Sequence, residues 1–406
     1  MNAMTIEAAA PRGLSRTLPG ATVLQILPSL VNEPWARGAV NVASALLRSG
    51  ARAIIASEGG RYVGELQALG GEWIRMGTAT HNPFTLRSNA RRLYEIIRTE
   101  RVDVVHAYSG AAAWSARTAM RNTDAWLVTT FTGTPGVRFQ VGSRFQRALA
   151  RADRVLADSA YAAELIAAHF NIPRDWIVAV SRSVDTDRYD PSAVNPDRVA
   201  ALRQEWRIAE ELRVIFVPGG LTPEKGQMTV VDAARILVNG GLRRIAFVIA
   251  GDDGLDPEYK RDLVERIKAQ GLAGYIRRVR HCSDMPAAYA MADMVLAPRI
   301  EPTTFSHIVA EAHAMGTPVI ASDIGVLPEM VLAPPFVAEK DRLGWLVNPS
   351  DAMDLARAIA EVVALNSAQR QSLRMRARRF AELFYSPARV AQANLSVYAS
   401  LLEGGR

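Results

Sequence analysis

The sequence predicts an α/β protein of two domains, each built on a parallel β-sheet. Three features lead there. The chain has 406 residues, too many for one ordinary core. From Ala21 onward, short β-rich runs alternate with amphipathic helical runs, the mark of βαβ units. One polar stretch, near 184–195, interrupts that alternation.

The first series opens with ATVLQILPSL, a buried strand, followed by helical periodicity over 37–49 that Gly50 stops. ARAIIAS is the second strand, 62–69 a helix and EWIRM a short third strand. Asn82-Pro83 is a helix-start signal, because proline at the first helical position has no N–H to leave unsatisfied, and a long helix follows over 83–98. VDVVHAY, AWLVTTF and RVLADS are three further strands, separated by helices at 111–121 and 144–150, and WIVAVSR closes the half.

The stretch SVDTDRYDPSAVNPD, with two prolines and four aspartates, is expected to be an interdomain linker at 184–195. Behind it come RVIFVPG, RIAFVIAGD, YIRRVR, MVLAPR, TPVIASD and GWLVNP, alternating with helices that start near Gly226, Pro257, Met285, Ser306, Val326 and Ala352. After Asn366 only helical segments remain. The expected domains are thus 21–183 and 196–385, with 386–406 a helix packing back towards the first and 1–20 a disordered tail.

Apolar residues make up 49% and charged residues 22%, an ordinary globular composition. No apolar run approaches the roughly 20 residues that span a bilayer, and the first twenty residues lack the apolar segment of a secretion signal, so a cytoplasmic location is expected. The single Cys282 has no partner for an internal disulfide. A formal charge of +7 favours anionic partners such as nucleotides, phosphorylated lipids or a membrane surface, without choosing among them.

Ligands of open parallel sheets bind beyond the carboxyl ends of the strands, so the loops there are the places to search. In VPGGLTPEKGQ, Gly219 and Gly220 follow a strand and Lys225 precedes a helix. Bare backbone, free helix N–H groups and an ammonium suit a diphosphate, although a plain turn with a solvated lysine explains the loop equally well. Glu311 lies in a helix that ends at Gly316, where it either receives ribose hydroxyls or is merely solvated. Asp284 precedes a helix, and an N-cap role accounts for it by itself. His81, His169, His307 and His313 show no metal-ligand spacing, and adjacent Asp252 and Asp253 rarely converge on one ion, so no metal is expected.

The order of these loops resembles the family 4 glycosyltransferases, nearest to bacterial lipopolysaccharide-core and cell-envelope enzymes. The second half carries G-x-L-T-x-x-K-G-Q at 219–227, A-G-D at 250–252, H-C-x-D-M-P-A-A-Y at 281–289 and E-A-x-A-M-G-x-P-V-I-A at 311–321. R-G-x-x-x-V-A at 37–43, V-H-A at 105–107 and A-W-S at 113–115 support it in the first half. The resemblance implies a GT-B architecture, two Rossmann-like domains facing a cleft, with a nucleotide diphosphate sugar held by the second domain and an acceptor hydroxyl by the first. It implies retaining transfer with no metal or other cofactor, a UDP- or GDP-linked donor, and a glycan or lipid-linked acceptor, with no nucleic acid as partner.

By the same resemblance Lys225 neutralises the donor diphosphate and Glu311 binds ribose. Gly219, Gly220, Asp252, Asp284 and Met285 would complete one side of the donor site, and Glu301, Thr303, Phe305, Ser306 and Ile308 the other. His106 and Tyr108 stand where a reaction-centre histidine is expected, with Thr132 after Phe131 as a further candidate; packing of His106 at a strand end is an equal reading. Three positions depart from the pattern: Gly220 replaces an arginine, Thr303 replaces the first of two paired glutamates, and Ser306 replaces a glycine. Either the donor pocket is altered, with Glu301 as substitute, or the protein is a weakened enzyme that binds nucleotide sugar or a partner. No G-x-G-x-x-G follows a strand, which argues against a dehydrogenase.

The stretch VRFQVGSRFQRALARADR carries Arg138, Arg144, Arg147, Arg151 and Arg154 with Phe139 and Phe145. On a helix from Ser143, residues 144, 147 and 151 share a face. That face is either simply solvated or rests on anionic lipid with the phenylalanines entering the interface.

Overall fold

The computed structural model describes residues 18–31, 34–80, 82–131, 144–251, 254 and 256–403. The expected tail, His81, Thr132, Arg138, Phe139, Asp252 and Asp253 lie outside or almost wholly outside the described residues. The chain divides into two compact units. The first takes the described residues up to Ala157, Ala163–Val180 and those from Val390; the second takes Asp158–Ala162 and Ser181–Arg389.

In the first unit, strands β1 (Thr22–Ile26), β2 (Arg52–Ser57), β3 (Glu72–Arg75), β4 (Val104–Ala107), β5 (Trp126–Phe131), β6 (Arg154–Ala157) and β7 (Ile177–Ala179) form one parallel sheet. Their order is β3-β2-β1-β4-β5-β6-β7. The second unit repeats the plan with β8 (Arg213–Pro218), β9 (Ile245–Ala250), β10 (Ile276–Val279), β11 (Met294–Ala297), β12 (Val319–Ser322) and β13 (Gly344–Val347), in the order β10-β9-β8-β11-β12-β13. Helices cover both faces of such sheets, which is why β1, β4, β9 and β11 are buried along their whole length. The direction in which successive strands are added reverses at β1/β4 and at β8/β11, while every strand stays parallel. Those switch points open a crevice beyond the strand ends, and they place the candidate ligand loops.

Two helices escape the periodicity read from the sequence. Ala160–Phe170 has only Glu164 and His169 as polar residues, so its apolar side has little to contrast with. Pro196–Glu205 begins on Asn195-Pro196, and the Asn195 carboxamide accepts from Asp197 N–H at 2.9 Å as Asn82 does from Phe84 N–H. The expected linker is corrected by the same region, since 184–195 belongs to the second unit. Val184 and Tyr189 are buried in its core, and the Arg378 guanidinium donates to the carbonyls of Thr186, Tyr189 and Ala314. A polar composition marked a surface segment, but burial of two side chains and two satisfied carbonyls fix it in place.

Helix Ser367–Phe384 packs within the second unit against His307–Ala314, and opens on a capping box between Asn366 and Gln369. Helix Pro387–Glu403 contributes to the first unit from Val390, burying Leu395, Tyr398 and Leu401 with the residues of Pro34–Arg48. No described helix is long and apolar enough to cross a membrane.

Candidate functional site

At the carboxyl end of β8 three glycines let backbone strands approach where no side chain fits. Gly219 has φ +133° and donates to the Ala250 carbonyl at 2.8 Å. An ideally placed Cβ on Gly251 would lie 1.8 Å from the Gly219 oxygen, and one on Gly226, at φ +71°, would lie 1.8 Å from the Pro298 oxygen. The turns after β8, β9 and β11 are therefore locked together by backbone contact alone. They border a cavity of about 680 Å³ lined by Gly219, Gly220, Gly251, Arg280, His281 and Met285 among others.

Lys225 ends a short 3-10 turn, Pro223–Lys225, whose Glu224 carbonyl accepts from Ile300 N–H at 3.1 Å. That bond and the Gly226–Pro298 contact bring Lys225 beside Arg299, the second residue past β11. Among the described residues Arg299 donates only through Nε, to the Glu301 carbonyl at 3.1 Å. Burial, then the charge of Arg299, holds the Lys225 ammonium below its ordinary pKa against the opposing pull of Glu224. Burial likewise lowers Arg299. Neither cation forms an ion pair among the described residues, while the Glu224 carboxylate is turned to the Thr222 hydroxyl at 2.7 Å. Two partly buried cations that share only the nearby charge of Glu224 and form no ion pair among the described residues, beside the bare backbone of Gly219, make a place for an anion.

Helix His307–Ala314 is capped by the Ser306 hydroxyl, so serine at that position has a structural use. Glu311 accepts from the Tyr289 hydroxyl at 2.9 Å and is also hydrogen-bonded by Tyr189. Burial raises its pKa above that of an ordinary glutamate, opposed by those hydroxyls and by Arg188. Ile308 borders Gly219, at 3.6 Å from where a Cβ would stand. Phe305 is buried, Glu301 is exposed, and the Thr303 hydroxyl donates to the Phe305 carbonyl at 3.0 Å. No carboxylate stands at 303. Asp284 is the helix cap that its sequence position suggested; both its oxygens are also held by Arg198, at 2.7 and 2.8 Å. Met285 lines the cavity, whereas Asp284 does not.

The first unit overturns the assignment of a catalytic histidine. His106 is fully buried, its Nδ1 lies 2.7 Å from the Tyr398 hydroxyl and its Nε2 2.7 Å from the Thr130 hydroxyl. Burial pulls its pKa down to about 3, so the ring is neutral. Tyr108 stacks on it at 4.2 Å and its hydroxyl donates a hydrogen bond to Gln25 Oε1 at 2.8 Å; burial raises its pKa. With every polar atom engaged and no exposed surface, His106 joins the sheet to the last helix rather than meeting a substrate, which is the packing role that competed with catalysis in the sequence.

Arg299, Arg280, His281, Tyr189 and Tyr289 are the site residues that sequence reasoning did not single out. His281 and Tyr289 stood inside a quoted motif; Arg299 had no signal beyond lying two residues after a strand.

Known proteins bear on this geometry. Residues 36–188 match the family described as Glycosyltransferase Family 4, and residues 199–380 the family described as Glycosyl transferases group 1. The D-inositol 3-phosphate glycosyltransferase of Geodermatophilus obscurus is 28% identical over 326 residues, which are 74% of this chain and 67% of that protein. A glycosyltransferase structure from Rickettsia africae has a TM-score of 0.81 at 26% identity, covering 95% of this chain and 100% of its own. Anabaena HepE in complex with UDP shares the fold, with a TM-score of 0.73 at 18% identity over 94% of this chain and 100% of that one. With a glycosyltransferase match in each half and two doubly wound parallel sheets behind them, the chain belongs to the family 4 glycosyltransferases of GT-B architecture.

Proposed function

We propose that the protein transfers a sugar, with retention and without a metal, from a UDP- or GDP-linked donor to a glycan or lipid-linked acceptor in envelope polysaccharide assembly on the cytoplasmic side. The observation that carries this reading is the pair of cations Lys225 and Arg299, which form no ion pair among the described residues, beside Gly219 at the β8/β11 switch point. In the reaction the bond from the sugar C1 to the diphosphate oxygen breaks and a bond from C1 to the acceptor oxygen forms. The diphosphate leaves with the electron pair, and the proton of the acceptor hydroxyl passes to a diphosphate oxygen. Fixed cations and glycine N–H groups stabilise the departing charge as a metal would elsewhere. UDP and UDP-glucose complexes of HepE support a uridine donor. Related curated enzymes bear the name of a phosphorylated polyol acceptor, D-inositol 3-phosphate.

A second reading, a weakened enzyme that binds nucleotide sugar or a partner protein, is favoured by Thr303, whose hydroxyl is spent on the Phe305 carbonyl. A thermal-shift screen across UDP, GDP, ADP and CMP sugars, followed by turnover assays on those that bind, separates the two. Stabilisation with turnover supports the transferase. Binding without turnover, together with activity gained by Thr303→Glu, supports the weakened enzyme, and no binding at all removes the transferase and leaves only a partner-binding role.

A further inference from the structure

The connections β3 to β4, β4 to β5 and β5 to β6 all run in one direction across the first sheet. Right-handed crossovers therefore put helices Pro83–Thr99, Gly110–Ala119 and Arg144–Leu149 on the same face. They pack side by side, the first on the second and the second on the third. Gly110 permits the last contact, since a Cβ there would stand 2.7 Å from that of Phe145. This also corrects the expectation for Phe145: it is partly buried against the neighbouring helix start instead of projecting outward.

Each of the three helical segments carries two exposed arginines four residues apart: Arg87 and Arg91, Arg117 and Arg121, Arg147 and Arg151. Arg87 and Arg91 share one helix, where like charges at that spacing repel, while Arg121 and Arg151 stand just past the ends of their helices. None of the six forms an ion pair among the described residues, and the three helices together contain one acid, Glu95. Burial and the charges of Arg151 and Arg121 lower the Arg117 pKa, so neighbouring pairs feel one another. Elsewhere on this unit Arg52 is answered by Glu72 and Glu100 and half-buried Arg37 by Glu65, while exposed Arg48, Arg75 and Arg101 stand singly with no ion pair among the described residues. At the edge of the same face Phe84 is 77% exposed, in the first turn of its helix.

We propose that this three-helix face docks on an anionic phospholipid surface, the arginine pairs meeting headgroup phosphates and Phe84 entering the interface. Helices packed about 8–10 Å apart spread the pairs over a shallow area that fits a sheet of headgroups better than a single bound anion. A lone exposed aromatic at the rim gains from an apolar layer and nothing from a polyanion in water. The inference rests on the transferase reading only in that a lipid-linked acceptor would lie in such a surface. Vesicle binding needs no substrate, so the two stand or fall separately.

The test is co-sedimentation of the full chain with phosphatidylcholine vesicles, with and without phosphatidylglycerol, over a salt series. Binding is expected only to the anionic vesicles and should fall steeply with salt. Each arginine at such a surface is worth about fivefold in affinity. Arg87→Glu, Arg117→Glu and Arg147→Glu combined should therefore weaken binding by more than about a hundredfold. A matched charge reversal on exposed positions of the second unit, Arg235→Glu, Lys268→Glu and Lys340→Glu, should weaken it far less. Phe84→Ser should lower the fraction bound at high salt. Equal binding to neutral and anionic vesicles, or equal losses in the two triple variants, overturns the proposal. So does a nucleic-acid duplex that the wild type binds through this face while leaving vesicles unbound. Thermal unfolding of each variant confirms that a loss is not one of folding.

Discussion

The Tyr398 hydroxyl lies 2.7 Å from Nδ1 of His106, across 292 residues of sequence. Through this bond the last helix is tied to the middle of the first sheet, and the other ring nitrogen, Nε2, is held by Thr130. Tyr398→Phe keeps the packed ring but leaves a buried imidazole nitrogen without its partner. A loss of about 1–3 kcal/mol in unfolding free energy is expected, read from urea denaturation. Unchanged stability would mean that the helix is held by its apolar contacts alone.

Acid should unfold the protein through its buried histidines. Burial holds His106 at about 3, and His307 and His313 at about 4, against about 6.5 in an unfolded chain. Their folded values are depressed, so below pH 6.5 the unfolded chain binds more protons. The stability these neutral rings contribute is complete above that pH and is lost as pH falls towards 4. Each contributes a slope on the order of 1 kcal/mol per pH unit within the window. Denaturation midpoints at pH 7.5, 6 and 5 should drop progressively, and His106→Gln should flatten the curve even if it lowers stability at pH 7.5. A flat profile in the wild type contradicts the burial argument.

The parallel sheets were legible because fully buried strands read as short apolar runs between glycine and polar stops, and RVIFVPG and MVLAPR end close to β8 and β11. Helix Ala160–Phe170 was not, because an almost uniformly apolar segment has no periodic contrast. At the site, Gly219 and Lys225 were visible as a strand followed by glycines and a cation. Arg299 was invisible, since its partnership with Lys225 is made by two strands adjacent in space and separated in sequence by β9 and β10. His106 failed for the opposite reason: a histidine at a strand end carries no sign of the tyrosine, far along the chain, that closes over it.

Gly226 should not tolerate a side chain. At φ +71°, with Pro298 oxygen where the Cβ would go, Gly226→Ala meets backbone strain and a backbone clash together. A loss of at least about 2 kcal/mol is expected from the strain and displaced turn, with nucleotide binding lost as Lys225 moves from Arg299. A variant that folds with wild-type stability and affinity would show that the turn has room to relax.

Glu311 is held by the Tyr289 hydroxyl and by Tyr189, which leaves its role in nucleotide binding to be separated from its role in the core. Glu311→Gln keeps an acceptor for the tyrosines and removes the charge. If the carboxylate receives ribose hydroxyls, nucleotide and nucleotide sugar should both bind more weakly by about 1.5–3 kcal/mol in calorimetry. Affinity intact in the folded fraction would assign Glu311 to the core alone.

Lys225 and Arg299 flank Gly226 from the ends of two adjacent strands, and neither forms an ion pair among the described residues. On sequence Lys225 was the only cation of its loop; with Arg299 beside it, the grip on a diphosphate is shared. Lys225→Ala and Arg299→Ala should each weaken the bound nucleoside diphosphate by about 1.5–3 kcal/mol, the range for a charged hydrogen bond. Because both would hold one ligand, the double variant should depart from additivity by at least about 0.5 kcal/mol. The parent nucleoside, which has no phosphate, should bind all four proteins alike. Calorimetry with diphosphate and nucleoside gives the full cycle. If Arg299→Ala leaves the diphosphate affinity unchanged while Lys225→Ala lowers it, Arg299 only shapes the loop. If both variants weaken diphosphate and nucleoside equally, the loss is one of site structure and the anion-binding role of the pair is wrong.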